Sequence, residues 1–260
     1  MNPDLLMDLS RELYQAEKSR KTVDPLSERY PQLDIAGAYQ IQSGYSRLRQ
    51  IEDSTHLLGM KVGATSKAIQ DYFGIDQPDF GVLLEDMEVD GFLNLDELIQ
   101  ARIEPELAFV LSQPLSGPGV CAEDVLEATR SVAPCMEIID SRVHGWRIGL
   151  VDTVADNGSS ARFVLGEQVS LDHAPDLREV KVEFCRNEEP AVVALGAAVL
   201  DHPANAVAWL ANTLGALGSG LSADQLVLSG SFTTALTASA GDVFTANFSG
   251  IGKVSLAIRP

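Results

Sequence analysis

Residues 102–111 read Arg-Ile-Glu-Pro-Glu-Leu-Ala-Phe-Val-Leu and place two glutamates, Glu104 and Glu106, beside an apolar run. Residues 107–111 are all apolar, which predicts a buried strand. Side chains on a strand alternate between its two faces, so both glutamates are expected on the same face. Proline gives no hydrogen bond to a sheet, and Pro105 therefore predicts that the strand begins near the pair, at the rim of a sheet.

A third acid, Glu137, lies in a second apolar segment, residues 132–139. Burying one carboxylate without a partner is costly, and crowding several together adds repulsion. A hard divalent cation such as Mg²⁺ or Mn²⁺ removes both costs because it prefers oxygen ligands. A Glu-x-Glu pair on a strand is, however, more often a solvated face. The apolar flanks and the third acid favour a metal site, and on these residues alone both interpretations stay open.

Composition limits the classes of partner. The chain has 260 residues, 45% hydrophobic content and a net charge of -18. Such a charge argues against nucleic acid or an anionic membrane as partner, and an anionic substrate would need local cations in its site. The three cysteines lack C-x-x-C spacing, and neither a signal peptide nor a run of ~18 apolar residues is found. We therefore expect a soluble, cytoplasmic protein.

Periodicity predicts a helical N-terminal region, residues 1–52, followed by a β-rich catalytic domain, residues 53–260. Further helices are predicted over 66–72, ending at Gly74, and over 122–131 and 202–217. Strands are predicted over 57–63, 82–84, 180–185, 192–193, 226–228 and, in alternation between glycines, 240–258. The polar stretch 145–160 and the turn-rich stretch 77–81 are predicted as loops. This pattern indicates an α+β fold with a mixed, barrel-like β core.

Two further residues are candidates for chemistry. Lys61 lies in the apolar strand 57–63, where it either extends its amine to solvent or serves as a cation in a site. Gly59 and Gly63 beside it allow a close approach and favour the second interpretation. Asp79 follows a proline and precedes Phe-Gly, where an aspartate most often stabilises a turn. The four histidines are scattered and are expected to be surface or cap residues.

Seven segments, taken in order, resemble the 2-keto-4-pentenoate hydratase group of the fumarylacetoacetate hydrolase superfamily. They are residues 61–66, 77–81, 103–110, 137–142, 154–159, 200–203 and 250–252. The resemblance runs from about residue 38 to residue 258. It implies a mixed β-roll core, a homo-oligomer, and Mg²⁺ or Mn²⁺ bound by Glu104, Glu106 and Glu137. It also implies a small anionic substrate that chelates the metal through a carboxylate and an adjacent 2-oxo or enol oxygen.

The activity implied is a hydratase that adds water to a 2-hydroxy-2,4-dienoate and forms a 4-hydroxy-2-oxo acid, in meta-cleavage degradation of aromatic compounds. Lys61 would then hold developing negative charge, Asp79 would assist proton transfer or activate water, and Asn157 and Ser160 would contact substrate. The same group contains a 4-oxalocrotonate decarboxylase, and decarboxylases of this type tend to lack the acid that corresponds to Asp79. Two alternatives remain: a 2-oxo acid decarboxylase, and a catalytically silent subunit in complex with a neighbouring pathway enzyme.

Overall fold

The computed structural model describes residues 1–66, 69–71, 75 and 77–260. The helix predicted over 66–72, with its end at Gly74, falls partly outside these residues. The helices are α1 (Pro3–Ser19), α2 (Leu26–Arg29), α3 (Ile35–Glu52), α4 (Ala122–Ala128), α5 (Leu150–Ala155) and α6 (Pro203–Ala216). None of the helices within these described ranges is both long enough and apolar enough to cross a membrane.

Strands are the main regular secondary structure after residue 56. They are β1 (Leu57–Gly63), β2 (Asp79–Leu84), β3 (Phe92–Asn94), β4 (Arg102–Leu111), β5 (Thr129–Ile139), β6 (Ser160–Leu165), β7 (Val169–Ser170), β8 (Lys181–Arg186), β9 (Glu189–Leu195), β10 (Leu226–Leu228), β11 (Leu236–Thr237), β12 (Val243–Phe248) and β13 (Gly252–Arg259).

The strands form two mixed sheets. The eight-stranded sheet has the order β2-β1-β10-β4-β5-β6, with β11 beside β4 and β7 beside β5. The five-stranded sheet has the order β3-β13-β12-β8-β9. Strand β1 runs parallel to β10 and β13 runs parallel to β3, whereas the other pairs are antiparallel. The α+β class with a mixed core is as predicted, but across the described residues the core consists of two open sheets rather than a barrel.

One apolar cluster joins the two sheets. Leu107 and Phe109 of β4 belong to it together with Phe244 and Phe248 of β12, and all four are buried. Because β4 alternates, its other face is free to carry Glu104 and Glu106. The larger hydrophobic core thus occupies one face of the central strand, and the other face carries the candidate site beside a smaller apolar cluster that includes Ala108 and Val110.

The N-terminal helices support the site from behind. Helices α1 and α3 begin with side-chain caps from Asn2 and Asp34. Their apolar faces pack against α5. Gln42 of α3 donates hydrogen bonds of 2.8 and 2.9 Å to the carbonyls of Phe80 and Val154. This amide therefore links the N-terminal region to β2 and α5. A domain division at residue 52 stays a prediction.

Two stretches predicted as loops are regular structure. Residues 145–160 contain α5, and β2 begins at Asp79 rather than Val82. Polar residues there indicated exposure, but Asp79, Asp152, Asp156, Asn157 and Ser159 are buried and form hydrogen bonds within the protein. Asp152, for example, accepts hydrogen bonds from the backbone N–H and the hydroxyl of Ser27 at 2.9 and 2.6 Å.

The sequence predicted that Pro105 lies at the rim of a sheet, and this is wrong. It is the fourth residue of β4, which lies between β10 and β5. Its carbonyl accepts a hydrogen bond from Phe232, which lies in the connection between β10 and β11. A residue's N–H and C=O point to the same side of a strand. The N–H that proline lacks therefore faces a connection rather than a paired strand, so no ladder bond is lost.

Candidate metal centre and substrate pocket

Three glutamates converge on one face of the large sheet. The register of β4 and β5 places Glu104 directly opposite Glu137, and Glu106 lies two residues further along β4. One carboxylate oxygen from each lies within 4.8 Å of the other two. Glu106 and Glu137 are buried, and Glu104 is partly buried. The solvated-face interpretation of the Glu-x-Glu pair is therefore wrong for this chain.

The carboxylate oxygens lack the partners that burial demands. Among the described residues, neither carboxylate oxygen of Glu137 has a hydrogen-bond partner. Only one oxygen of Glu106 has a partner, the backbone N–H of Gly230, which donates a 2.8 Å hydrogen bond to it. Burial and the charge of Glu137 raise the pKa of Glu104 to about 7 and the pKa of Glu106 well above its usual value. A cation would satisfy both the charge and the open lone pairs. An all-oxygen donor set suits Mg²⁺ or Mn²⁺ better than zinc.

Lys61 is a buried cation beside this cluster. Its amine donates a 3.0 Å hydrogen bond to the carbonyl of Gly158 and lies 3.6 Å from Oε2 of Glu137. Burial alone would lower the pKa of Lys61, but the negative charges of Glu137 and Asp79 raise it above the ordinary value. The side chain thus stays an ammonium and does not extend to solvent, which decides between the two interpretations of this lysine.

Asp79 lies on the neighbouring strand with one oxygen free. It is buried at the start of β2, opposite Gly63 of β1. Its Oδ2 accepts a 2.9 Å hydrogen bond from the hydroxyl of Thr153, whereas Oδ1 has no partner within the described part of the chain. A Cβ on Gly63 would lie 2.2 Å from that Oδ1 and 2.8 Å from the Lys61 amine. Glycine at position 63 therefore lets Asp79 and Lys61 approach each other.

The two predicted substrate contacts are placed differently. The side-chain amide of Asn157 forms two hydrogen bonds with the backbone of Val82, at 2.7 and 2.9 Å, and so anchors its own turn to β2. The hydroxyl of Ser160 is buried and has no hydrogen-bond partner among the residues described. A direct substrate contact by either residue stays a prediction.

A buried ion pair holds the turn that carries Gly158. Nε of Arg142 lies 2.6 Å from Oδ1 of Asp156, and both side chains are buried. Asp156 also accepts hydrogen bonds from the hydroxyls of Ser141 and Ser159 at 2.9 and 3.0 Å. The carbonyl that orients Lys61 is thus fixed by charges outside the cavity. These residues belong to the segments that carry the family resemblance, but residue spacing does not indicate this role.

Lys61, Asp79, Glu104 and Glu106 line a cavity of about 310 Å³, whereas Glu137, Asn157 and Ser160 are not among its lining residues. Its polar end is formed by Lys61, Asp79, Glu104 and Glu106. The remaining lining is largely apolar and includes Ile69, Ile75, Ile139, Trp146 and Ile148. A charged end joined to an apolar end suits a small organic anion with a hydrocarbon tail.

Sequence reasoning missed most of the lining, including Arg102, Trp146 and Thr153. Arg102 could have been found, because it precedes Glu104 by two residues on the same strand and so shares its face. Thr153 lies on α5, the helix that was predicted as a loop. Trp146 approaches the site only through tertiary structure, which residue spacing does not reveal.

Comparison with known proteins agrees with this architecture. The family profile of the fumarylacetoacetate (FAA) hydrolase C-terminal region matches residues 92–259. The chain is 45% identical to a 2-hydroxyhexa-2,4-dienoate hydratase of Comamonas testosteroni, over 94% of each chain. It is 38% identical to a 2-keto-4-pentenoate hydratase of Paraburkholderia xenovorans (strain LB400), over 98% of this chain and 95% of the relative.

A solved structure matches nearly the whole fold. The 4-oxalocrotonate decarboxylase from Pseudomonas putida G7, complexed with magnesium and adipate, superimposes with a TM-score of 0.95 and 32% identity. The match covers 99% of this chain and 98% of the decarboxylase. Fold, family profile and relatives confirm the resemblance in the sequence: the chain belongs to the fumarylacetoacetate hydrolase family, in the group of the 2-keto-4-pentenoate hydratases and 4-oxalocrotonate decarboxylases.

Proposed function

We propose that this protein is a metal-dependent hydratase that converts a 2-hydroxy-2,4-dienoate of the 2-hydroxypenta-2,4-dienoate type into a 4-hydroxy-2-oxo acid. The observation that carries the proposal is Asp79, a buried acid with a free oxygen in the same cavity as the glutamate cluster and Lys61. Hydration requires a group that handles the protons of water, and decarboxylation does not. Relatives named as a 2-hydroxyhexa-2,4-dienoate hydratase and a 2-keto-4-pentenoate hydratase, at 45% and 38% identity, support the same conclusion.

Glu104, Glu106 and Glu137 would hold the metal, and the unpartnered oxygens of Glu106 and Glu137 support this assignment. A bound Mg²⁺ or Mn²⁺ would supply a Lewis acid for the carboxylate and the 2-oxygen of the substrate. The magnesium complex of the decarboxylase supports a divalent ion in this group of proteins. The choice between magnesium and manganese is part of the proposal.

Lys61 provides a positive charge of the chain itself directly beside Glu137. Its ammonium is fixed by the Gly158 carbonyl, so no reorganisation is needed when negative charge develops on the 2-oxygen of the substrate. The same charge counteracts the net charge of -18, which repels an anion from the protein as a whole. Lys61 therefore contributes to binding and to stabilisation of the transition state.

Asp79 handles the proton. Ketonisation of the dienoate transfers the enol proton to C5, after which the hydroxyl of water adds to C4 and a proton is delivered to C3. Thr153 fixes one oxygen of Asp79, which leaves Oδ1 to accept the proton of the attacking water and to return a proton to carbon. Ser160 and Asn157 complete the proposed site, the first by direct contact and the second through its turn.

A second candidate is a 2-oxo acid decarboxylase that uses the same metal and Lys61. The specific observation in its favour is the TM-score of 0.95 with the 4-oxalocrotonate decarboxylase. That likeness extends over the whole fold and does not separate the two reactions. The free oxygen of Asp79 favours hydration. A catalytically silent subunit is the third alternative.

Cellular context is also part of the proposal. We infer that the protein is a homo-oligomer in the cytoplasm and acts in the meta-cleavage degradation of aromatic compounds. A complex with a neighbouring pathway enzyme is also part of the proposal. The free cysteines Cys121, Cys135 and Cys185 support a reducing compartment. Nucleic acid and membrane are not expected as partners, because the net charge is strongly negative.

One assay distinguishes the three activities. The purified protein, loaded with Mg²⁺ or Mn²⁺, is incubated separately with 2-hydroxypenta-2,4-dienoate and with 4-oxalocrotonate, while ultraviolet absorbance and carbon dioxide are followed. Loss of the dienoate without carbon dioxide supports the hydratase. Carbon dioxide from the diacid alone supports the decarboxylase. No turnover of either compound supports the silent subunit.

A further inference from the structure

A second cavity lies directly beside the substrate pocket. It has a volume of about 250 Å³, compared with about 310 Å³ for the pocket. Arg102 and Trp146 line both cavities, and they are the only described residues that do so. These two side chains therefore form the wall between the two spaces.

The wall is a stacked pair. The guanidinium carbon of Arg102 lies 4.3 Å from the centre of the Trp146 ring, within the range of a cation–π contact. The indole N–H of Trp146 donates a 3.1 Å hydrogen bond to the carbonyl of Gln100. In the described ranges, Arg102 forms no ion pair with a carboxylate. The indole is thus held by one stacking contact and one hydrogen bond, both at the boundary.

The second cavity suits an apolar chain. Leu95, Ile99, Ala101 and Ala238 line it, and no metal ligand or other acid contributes from the described residues. Arg102 stands two residues from Glu104 on β4, which corresponds to about 7 Å along a strand. Arg102 and the indole stacked on it therefore lie within reach of a ligand whose charged end is at the glutamates.

We propose that the Arg102–Trp146 pair sets the length of substrate that the pocket accepts. The inference rests on the proposed dienoate hydratase activity and adds its specificity. A short dienoate ends against the indole, whereas a longer alkyl tail requires space that the indole occupies. Removal of the indole joins the two cavities and gives such a tail an apolar environment.

The test compares the parent protein with Trp146→Ala on 2-hydroxy-2,4-dienoates of five, six and eight carbons. In the variant we expect the ratio of kcat/KM for the eight-carbon to the five-carbon compound to rise by about tenfold or more, mainly through a lower KM. Trp146→Phe should give an intermediate ratio. A ratio in Trp146→Ala within about twofold of the parent would overturn the proposal.

A control and a binding measurement keep this test separate from that of the proposed function. Trp209, the other tryptophan of the chain, lies on α6 and lines neither cavity, so Trp209→Phe should leave the ratio unchanged. Calorimetry with saturated 2-oxo acids of five to eight carbons measures length preference without turnover. If the parent hydrates no dienoate, the proposed function is wrong, and the length proposal is then tested by binding alone. Tighter binding of the longer 2-oxo acids by Trp146→Ala would support the length proposal, and unchanged binding would overturn it.

Discussion

Substitution of Gly63 by alanine tests whether the positions of the Asp79 carboxylate and the Lys61 amine beside Gly63 are needed for activity. The added methyl carbon would lie 2.2 Å from Oδ1 of Asp79 and 2.8 Å from the Lys61 amine. Carbon and oxygen in ordinary contact are about 3.5 Å apart, so the carboxylate must move by about 1 Å. Both clashing atoms are ends of side chains and can move, so the fold should survive at a cost of about 1–3 kcal/mol.

The effect on activity should be larger than the effect on stability. A displacement of about 1 Å in a catalytic group costs about 10²-fold in rate, and we expect kcat of Gly63→Ala to fall by that factor. Steady-state kinetics with the dienoate measure kcat, and thermal unfolding measures stability. The matched control is Gly149→Ala, because Gly149 has an extended backbone and its new methyl would meet its nearest neighbour, Asp152, at 3.7 Å. Parent kcat in Gly63→Ala would refute the reasoning.

Three further predictions concern the charges of the site. Asp79→Asn should lower kcat by about 10²–10⁴-fold while metal affinity stays unchanged, as kinetics and calorimetry would show, and hydration at the parent rate would remove Asp79 from the mechanism. In the metal-free protein, the pKa of Glu104 is raised from 4.5 to about 7, so the folded state favours the protonated carboxyl. The contribution of Glu104 to the free energy of unfolding is therefore fully present below pH 4.5 and is lost as the pH rises to about 7. Unfolding followed from pH 4 to 8 should show this loss without metal and a smaller one with Mn²⁺, and identical profiles would contradict the metal site. Asp156→Asn should destabilise the fold by about 3–5 kcal/mol because it leaves the buried Arg142 without its counter-charge. Chemical denaturation measures the free energy of unfolding, and an unchanged value in the variant would contradict this prediction.

The sequence predicted what depends on local periodicity. The alternation of β4 was enough to place Glu104 and Glu106 on one face, and the spacing in α1 and α3 was enough to identify both helices. Glu137 could be grouped with Glu104 and Glu106 because it lies in a second apolar strand. These features follow from the order of residues along single elements, which is the information a sequence carries most directly.

What the sequence did not predict depends on contacts between distant segments. The polar residues of α5 predict a loop, but in the folded protein they form hydrogen bonds with residues far away in the sequence, such as Ser27 for Asp152. Pro105 was placed at a rim because the connection that passes beside it belongs to residues more than 120 positions later. The wall formed by Arg102 and Trp146 likewise exists only in the folded protein.

The central claim is that the three glutamates hold a metal on which hydration depends. The most direct measurement follows 2-hydroxypenta-2,4-dienoate by nuclear magnetic resonance with protein that is metal-free, then loaded with Mn²⁺ or Mg²⁺, then treated with a chelator. The account predicts a 4-hydroxy-2-oxo acid only in the loaded state, and almost none with Glu106→Gln or Glu137→Gln. Product formation at the same rate in the presence of the chelator, by the parent and both variants, would contradict it.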